Sequence, residues 1–498
     1  MSTTPPHSVS LDTLLDGFAV APAVAVAGLR LDGRDIREGE AFVAIRGQTS
    51  RGLDFVGQAI ERGARAVIFD PADGTLQGLP AGVVAVAVPA LRSRLGVIAD
   101  RCYGSPGARL SIAGITGTNG KTTCAWLLAA AASRLGRRSA YVGTLGAGFP
   151  PALAPTGHTT PDVLSVHRVL AEVRAAGAER VAMEVSSHAL DQERLAGLRF
   201  EIAAFTNLTR DHLDYHGTLE AYAAAKRRIF SMPGLSRAVI NVGDPAGREY
   251  AASLPGGVEL VAVGVGGPLP PHAGNFVHVE SFEATTEGLR LALRGPFGQR
   301  ELRSPLVGAF NAENLAIVFG VLLAWGHVAD DAIAALAEAT APPGRMEAFR
   351  MPGGALAIVD YAHTPDALAK VLEAARRHAA GRLRVVFGCG GDRDKGKRAP
   401  MGAIAERLAD EVFVTDDNPR REDPERIVAM ILDGMRSPAG ARVLRDRGAA
   451  IAAALADATA GDVVVVAGKG HERYQLVGDE TREFSDRDSV ARLAGRAA

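Results

Sequence analysis

The chain has 498 residues, 47% of them apolar, and its 55 Lys plus Arg against 56 Asp plus Glu give a formal charge of -1. At roughly 150 residues per domain that length excludes a single small module and points to three domains, and the apolar share excludes a disordered chain. The charge balance gives no general attraction to nucleic acid or to an anionic membrane, so an anionic ligand must be held by local sites. Cys102, Cys124 and Cys389 are far apart and not in CxxC spacing. That argues against a disulfide framework or a zinc site and fits a reducing cytoplasm. Met1 to Asp16 carries no Lys or Arg, and the apolar stretch from Phe18 to Leu29 is short and interrupted by Pro22, so neither a signal peptide nor a membrane span is expected.

No repeat of 20 to 50 residues is visible. In chain order, Ala41 to Ile45, Ala66 to Phe69 and Val83 to Val88 read as strands and Phe55 to Arg62 as a helix, before a linker-like Tyr103 to Gly107. A strand from Leu110 runs into Gly117-Thr118-Asn119-Gly120-Lys121-Thr122-Thr123, followed by a helical Cys124 to Leu135. Ser139 to Gly143, Arg180 to Val185, Ile202 to Phe205 and Ala238 to Asn241 are further strands. After a break at Ala341 to Gly344, Ala355 to Asp360, Leu383 to Gly388, Glu411 to Thr415 and Asp462 to Ala467 alternate with helices. The pattern predicts three α/β domains: a smaller one over 1–106, a central P-loop type parallel sheet over 107–342, and a Rossmann-like doubly wound sheet over 343–498.

A glycine-rich turn between strand and helix aims backbone N–H groups and a helix N-terminus at phosphate. In Gly117 to Thr122, Lys121 is placed to neutralise β/γ oxygens and Thr122 to offer a hydroxyl to Mg²⁺, although Ile115 stands where the full pattern has its first glycine. Glu184, at the end of an apolar strand, is a second candidate Mg²⁺ ligand; His188 just beyond reads equally well as a structural histidine. Thr206 to His216 is dense in metal- and phosphate-capable side chains. Lys226, Arg227 and Arg228 read as a solvated helix face, with Lys226 on the face of Tyr222. Three loops, Gly388 to Asp394, Asp416 to Arg420 and Gly468 to Glu472, each follow a strand and so share one crevice. There Arg393 and Arg420 are suited to carboxylates and Glu472 to an ammonium group, a combination fit for a zwitterion.

These residues, with Asn311-Ala312-Glu313-Asn314 and Pro343-Gly344-Arg345-Met346-Glu347, resemble the Mur ligases, the ATP-dependent amide-forming enzymes of peptidoglycan synthesis, over nearly the whole chain. The resemblance implies that Asn311 and Arg345 join Gly117 to Thr123 in ATP binding, and that Lys226 becomes a carbamate holding a second Mg²⁺ with His212. It implies contacts to a UDP-sugar peptide by Leu31, Gly33, Gln48, Thr49, Ser50, Thr159, Thr160, Ser186, Gln192 and Arg194. Two positions depart from the family pattern, Gly33 where a serine is expected and Arg51 where an aspartate is usual. Asp417-Asn418-Pro419-Arg420 resembles the signature of members that add meso-diaminopimelate, with Arg393, Gly468 and Glu472 completing that subsite. A guanidinium discriminates well between the carboxylate that diaminopimelate carries and its absence in lysine.

The reaction so implied phosphorylates the D-glutamyl carboxylate of UDP-N-acetylmuramoyl-L-alanyl-D-glutamate, and the amine of meso-diaminopimelate displaces phosphate. Lys121, Glu184, His212 and Lys226 form the expected catalytic set; no general base for the amine is legible. Closure between the nucleotide and amino-acid domains is expected, with Pro343 and Gly344 near the hinge. The expected protein is a cytoplasmic monomer with small-molecule partners only, no nucleic acid and no membrane. The alternatives are a lysine-adding ligase or a folylpolyglutamate synthase of the same architecture, a P-loop switch that ligates nothing, and a purely structural partner-binding protein.

Overall fold

The computed structural model describes residues 8–47, 50–267, 274–285 and 287–495. Its backbone gathers into two compact units: one of Met1–Ala125, Ala132–Ile240 and Ala246–Leu260, the other of Trp126–Ala131, Asn241–Pro245 and Val261–Ala498.

In the first unit, β1 (Leu29–Arg30), β2 (Ala41–Ala44), β3 (Ala66–Phe69) and β4 (Val84–Ala87) make a four-stranded parallel sheet in that order. The helix α1 (Leu91–Cys102) follows it, and Gly96 of α1 lies so close to Ala196 that a Cβ there would stand 2.5 Å from the Ala196 carbonyl carbon. The apolar core under this sheet includes Leu95, Ile98, Val163 and Leu164, so it is continuous with the helix that begins at Val163.

The central strands are β5 (Ser111–Thr116), β6 (Ser139–Gly143), β7 (Gly146–Phe149), β8 (Ala152–Ala154), β9 (Arg180–Glu184), β10 (Ile202–Phe205) and β11 (Arg237–Asn241). Their order is β8-β7-β6-β9-β5-β10-β11, with β7 and β8 pairing antiparallel and the other neighbours among these strands pairing in parallel. The parallel strands are buried almost end to end, which is why they read as unbroken apolar runs. Thr116 of β5 leads into Gly117, and α2 (Lys121–Arg134) starts four residues later.

Further along the chain, β12 (Glu259–Val265) pairs in parallel with β13 (Asn275–Thr285), which continues antiparallel into β14 (Gly288–Gly295) and β15 (Gly298–Ser304). The sequence reading did not foresee this meander. The last sheet contains β16 (Glu347–Arg350), β17 (Leu356–Asp360), β18 (Leu383–Phe387), β19 (Glu411–Val414), β20 (Arg442–Val443) and β21 (Val463–Ala467), ordered β16-β17-β21-β18-β19-β20, all parallel except the edge β16. Alternate residues face opposite cores: Ile358, Val385, Val414 and Val465 meet the side of helix Pro365–Arg376, while Val359, Val386, Phe413 and Val466 meet helix Arg447–Ala456. A small hairpin, β22 (Tyr474–Val477) with β23 (Glu480–Glu483), stands apart from that sheet.

Cys102, Cys124 and Cys389 are all buried free thiols. Among the described residues no helix is long and apolar enough to cross a membrane.

Candidate active site

The loop after β5 is shaped by glycine. Gly117 has φ of 146°, and a Cβ there would lie 1.9 Å from the Thr206 hydroxyl, so only glycine lets β10 approach so closely. Thr206, at the end of β10, donates from Oγ1 to the Asn119 carbonyl at 2.7 Å, and the next residue accepts the Asn119 N–H on Asn207 Oδ1 at 2.9 Å. The Thr118 N–H also donates to the Asn207 carbonyl at 2.8 Å. Thr206 and Asn207 therefore clamp the glycine loop. The Lys121 ammonium curls over the loop, donating to the carbonyls of Gly117 and Thr118 at 2.9 Å each.

β9 lies beside β5, with Glu184 paired to Ile115, and this register brings the Glu184 carboxylate to the head of α2. Glu184 is wholly buried and accepts from the Thr122 hydroxyl at 2.9 Å, the Tyr141 hydroxyl at 2.5 Å and the Thr144 N–H at 3.0 Å. A buried carboxylate beside a threonine hydroxyl is an all-oxygen donor pair, which suits a hard divalent cation.

Lys226 is 1% exposed, so it belongs to no solvated face; Arg227 and Arg228 are exposed as expected. It projects from the helix Leu219–Arg227, donates from Nζ to the Gly117 carbonyl at 2.7 Å, and sits 4.3 Å from the ring of Tyr222, one turn back on the same face. Burial first, and the nearby Lys121 charge second, bring its ammonium down to about 6. At neutral pH the group is thus largely a free amine, the form that reacts with carbon dioxide. His212, in the left-handed region at φ of 51°, is half exposed, and its ring lies 4.8 Å from His188 and 6.2 Å from Tyr222. Burial lowers both His188 and His216, holding them toward the neutral form. Among the described residues no group of three or more His, Cys, Asp or Glu side chains converges on one metal position.

A cleft of about 1590 Å³ opens in the first unit between residues of β1 and its following turn and residues 154–196. Leu31, Gly33, Ser50, Gln192 and Arg194 line it; Gln48 and Thr49 fall outside the described residues. Thr159, Thr160 and Ser186 do not line the cleft but join its wall to the Mg²⁺-type donor pair. The Thr159 and Thr144 hydroxyls are 3.0 Å apart, Thr160 Oγ1 donates to the Glu184 carbonyl at 2.8 Å, and the Ser186 N–H donates to Thr160 Oγ1 at 3.1 Å. Arg194 donates to the Thr160 carbonyl at 2.9 Å and to Gln192 Oε1 at 2.7 Å. Sequence reasoning missed Arg30, Arg92 and Arg168, which also line the cleft; Arg30 pairs with Glu40 and Arg168 with Glu172. Of the two departures, Gly33 is buried, with 3.3 Å from an added Cβ to the Phe55 carbonyl, and Arg51 donates to the Asp73 carbonyl at 2.7 Å.

In the second unit the three polar loops leave the carboxyl ends of β21, β18 and β19, three neighbouring parallel strands. Lys469 is buried there, donating to Asn418 Oδ1 at 3.0 Å and to Glu472 Oε2 at 3.1 Å, and Asn418 Nδ2 donates to the same Glu472 oxygen at 3.1 Å. Gly468, at φ of 120°, has no room for a side chain against Asp417 Oδ2, 2.7 Å from a Cβ. Arg420 donates from Nη1 to the Gly391 carbonyl at 2.8 Å, whereas Arg393 is exposed and Pro419 buried. Beneath the crevice the fully buried pair Arg447 and Asp486 meets at 2.7 Å, and Arg447 also donates to the Ala467 carbonyl at 2.8 Å, tying the end of β21 in place.

Arg345 and Asn311 also lie in this unit. The Arg345 guanidinium stacks 5.0 Å over the Tyr361 ring, and the Asn311 amide donates to the Val307 carbonyl at 2.7 Å and accepts from Asn314 at 2.8 Å. Tyr361 and His363 extend from the end of β17 with His471 nearby, at ring distances of 4.7 Å and 5.3 Å from Tyr361. Sequence reasoning passed over them. The signal was present in Asp360-Tyr361-Ala362-His363-Thr364-Pro365, a polar aromatic loop between an apolar strand and a proline-started helix capped by Thr364.

A glycine loop that presents N–H groups at a helix start, beside a buried carboxylate, and a second sheet with an acid, amide and guanidinium crevice define a nucleotide-dependent ligase architecture. Three family models match consecutive stretches: the Mur ligase family catalytic domain over 25–103, the Mur ligase middle domain over 115–322, and the Mur ligase glutamate ligase domain over 344–470. A protein of Alkalilimnicola ehrlichii, named UDP-N-acetylmuramoyl-L-alanyl-D-glutamate--2,6-diaminopimelate ligase, is 49% identical over 480 residues, 94% of this chain and 95% of its own. A like-named protein of Xylella fastidiosa is 47% identical, covering 98% and 97%. A solved structure under the same enzyme name superposes with a TM-score of 0.72 at 35% identity, covering 98% of this chain and 99% of that one. The chain belongs to the Mur ligase family.

Proposed function

We propose that this chain is an ATP-dependent ligase that joins meso-2,6-diaminopimelate to the D-glutamate of UDP-N-acetylmuramoyl-L-alanyl-D-glutamate, releasing ADP and phosphate, in the cytoplasmic assembly of peptidoglycan precursors. The observation that carries the reading is the Asp417–Arg420 loop, with the Arg420 guanidinium held on the Gly391 carbonyl and Asn418 bonded to Lys469 and Glu472, on the same chain as the glycine loop. The division of labour is that of the three sequence domains, 1–106 for the UDP end, 107–342 for ATP and 343–498 for the amino acid.

With the Thr118 and Asn119 N–H groups held by Asn207, the loop Gly117 to Thr123 receives the triphosphate at the start of α2, and Lys121 leaves the loop carbonyls for its β/γ oxygens. Asn311 and Arg345 complete the nucleotide contacts. Thr122 and Glu184 fit one Mg²⁺ as hard oxygen donors, and His212 with Lys226 fits a second only once the amine carries a carbamate oxygen. Bound there, Mg²⁺ supplies neutralisation of phosphate charge. Transfer of the γ-phosphoryl group to the glutamyl carboxylate gives an acyl phosphate; the carboxylate alone is a poor electrophile, so the activation is required. The diaminopimelate amine attacks that carbon, and phosphate leaves.

The arginine-rich cleft takes the UDP end of the precursor, with Leu31, Gly33, Ser50, Gln192 and Arg194 along its wall and Thr159, Thr160 and Ser186 beside the peptide. Arg420 takes the carboxylate that lysine lacks, Glu472 and Asp417 the ammonium, and Arg393 approaches from the exposed rim.

The test is an ATP-dependent assay with the UDP-dipeptide and a panel of diamino acids, read by mass spectrometry of the peptide product. Product is expected with meso-diaminopimelate, and Arg420→Ala should raise the KM for it by about 100-fold, the loss of a charged, half-buried interaction. Nucleotide hydrolysis without a lengthened product, or unaltered kinetics in Arg420→Ala, overturns the assignment.

A further inference from the structure

Asp417 to Arg420 leave the end of β19 in a conformation that the loop does not hold by itself. Arg420 has φ of 52°, a left-handed region that side chains with a Cβ enter rarely. The support comes from the hairpin β22–β23. The Arg420 N–H donates to the Leu476 carbonyl at 3.0 Å, and the Gly478 N–H donates to the Arg420 carbonyl at 2.7 Å. These two bonds form a short parallel bridge between Arg420 and Val477. Gln475 Nε2 donates to the Asp417 carbonyl at 2.7 Å, and the Leu476 N–H donates to Asn418 Oδ1 at 3.0 Å. At the exposed edge Arg421 pairs with Asp479 at 2.5 Å.

Three of the four loop residues therefore take a bond from β22 or its turn, and Arg420 takes two. The guanidinium is held at its other end by the Gly391 carbonyl. The bond to Asn418 has a further effect. With Oδ1 occupied by the Leu476 N–H and the Lys469 ammonium, the Asn418 amide must point its Nδ2 at Glu472, as observed. Gln475, Leu476 and Val477 of β22 are half-buried against the loop, while every residue of β23 is exposed.

We propose that the hairpin Tyr474–Glu483 is the specificity-positioning element of this ligase. By holding Asp417–Arg420 in its left-handed form and fixing the Asn418 amide, it sets the guanidinium where the additional carboxylate of a diamino diacid must arrive. The inference rests on the assignment of Arg420 made under Proposed function. Gln475 and Gly478 are positioning residues and act through Asp417 and Arg420. Bidentate capture of a carboxylate is steeply dependent on geometry, so a loosened hairpin weakens the diamino diacid more than any substrate held elsewhere.

Two variants test this in the full-length enzyme, with Arg420→Ala alongside. Gly478→Pro removes the N–H that reaches Arg420 and cannot adopt the φ of 61° found at that position. Gln475→Leu removes the amide donor. Each is expected to raise the KM for meso-diaminopimelate about tenfold and to lower the preference for it over L-lysine. The KM values for ATP and the UDP-dipeptide, and the thermal midpoint of the second unit, should stay unchanged. If both variants keep wild-type KM and selectivity while Arg420→Ala loses them, the hairpin proposal is overturned and the Arg420 assignment stands. If Arg420→Ala is also without effect, the assignment falls and takes the proposal with it. A uniform loss for all three substrates with a lowered midpoint makes the hairpin a stability element and likewise overturns the proposal.

Discussion

At position 117 an added methyl group has nowhere to go, because the Thr206 hydroxyl stands 1.9 Å from it and Thr206 is itself committed to the Asn119 carbonyl. Gly117→Ala should therefore cost about 2 kcal/mol by urea unfolding, from backbone strain and the displaced clamp, and lower ATP cleavage at least ~100-fold. Arg447 and Asp486 are a second point where one side chain carries much, since both are fully buried and face each other at 2.7 Å. Asp486→Ala strands a guanidinium in the core and should destabilise the protein by about 3–5 kcal/mol, with Arg447→Met in the same chain restoring most of the loss. Denaturant midpoints of the two single variants and the pair measure it. Lys226 shows the limit of reading residues singly: its neighbours in sequence suggest a solvated face, yet the fold turns it under Gly117 beside Tyr222. Only the family resemblance drew attention to it, because burial is a tertiary fact that three consecutive cations do not encode.

Among the elements, the parallel strands were legible because burial on both faces leaves runs such as Val463 to Ala467 with no polar alternation to confuse them. The antiparallel strands were not. β14 and β15 carry exposed Arg290, Arg294 and Arg303 on one face and exposed Arg300 at the end of the other, and β23 is Glu-Thr-Arg-Glu, so none of the three offers an apolar run. The same applies to the amino-acid crevice: its charged loops could be named from the sequence, but the hairpin that shapes them could not. One connection within that crevice gives a pH prediction. Glu422 binds Arg398 through both oxygens at 2.8 Å, and it accepts the Asp392 N–H at 3.1 Å, tying the loop after β18 to the segment after Arg420. The Arg398 guanidinium holds the Glu422 carboxyl down to about 2. A depressed carboxylate stabilises the fold above its unfolded value, near 4.5, and that contribution is lost as pH falls toward 2. Unfolding free energies between those limits should decline in the parent chain and flatten in Glu422→Gln, which should also be the less stable of the two at pH 7.

For the molecule as a whole, two compact units predict more than one calorimetric transition. Because the large cleft is lined wholly from the first unit, a uridine diphosphate ligand at 100 times its Kd should stabilise one transition by about 2.7 kcal/mol and leave the other in place. Asp486→Ala should displace the other transition alone. The class of architecture was readable end to end, since length, strand alternation and the two phosphate- and zwitterion-type loops each point to α/β sheets. The continuity of core between the first sheet and the helix at Val163 was not, because it arises from packing across residues far apart in the chain. Finally, the three native thiols are buried, and burial pushes those of Cys102 and Cys389 up to about 12, so none presents a reactive thiolate to solvent. The wild-type background is in effect blank to maleimide dyes. A donor and an acceptor attached through Glu61→Cys and Ala439→Cys, one in each unit, would report inter-unit distance during turnover by single-molecule energy transfer, with no native residue to remove first.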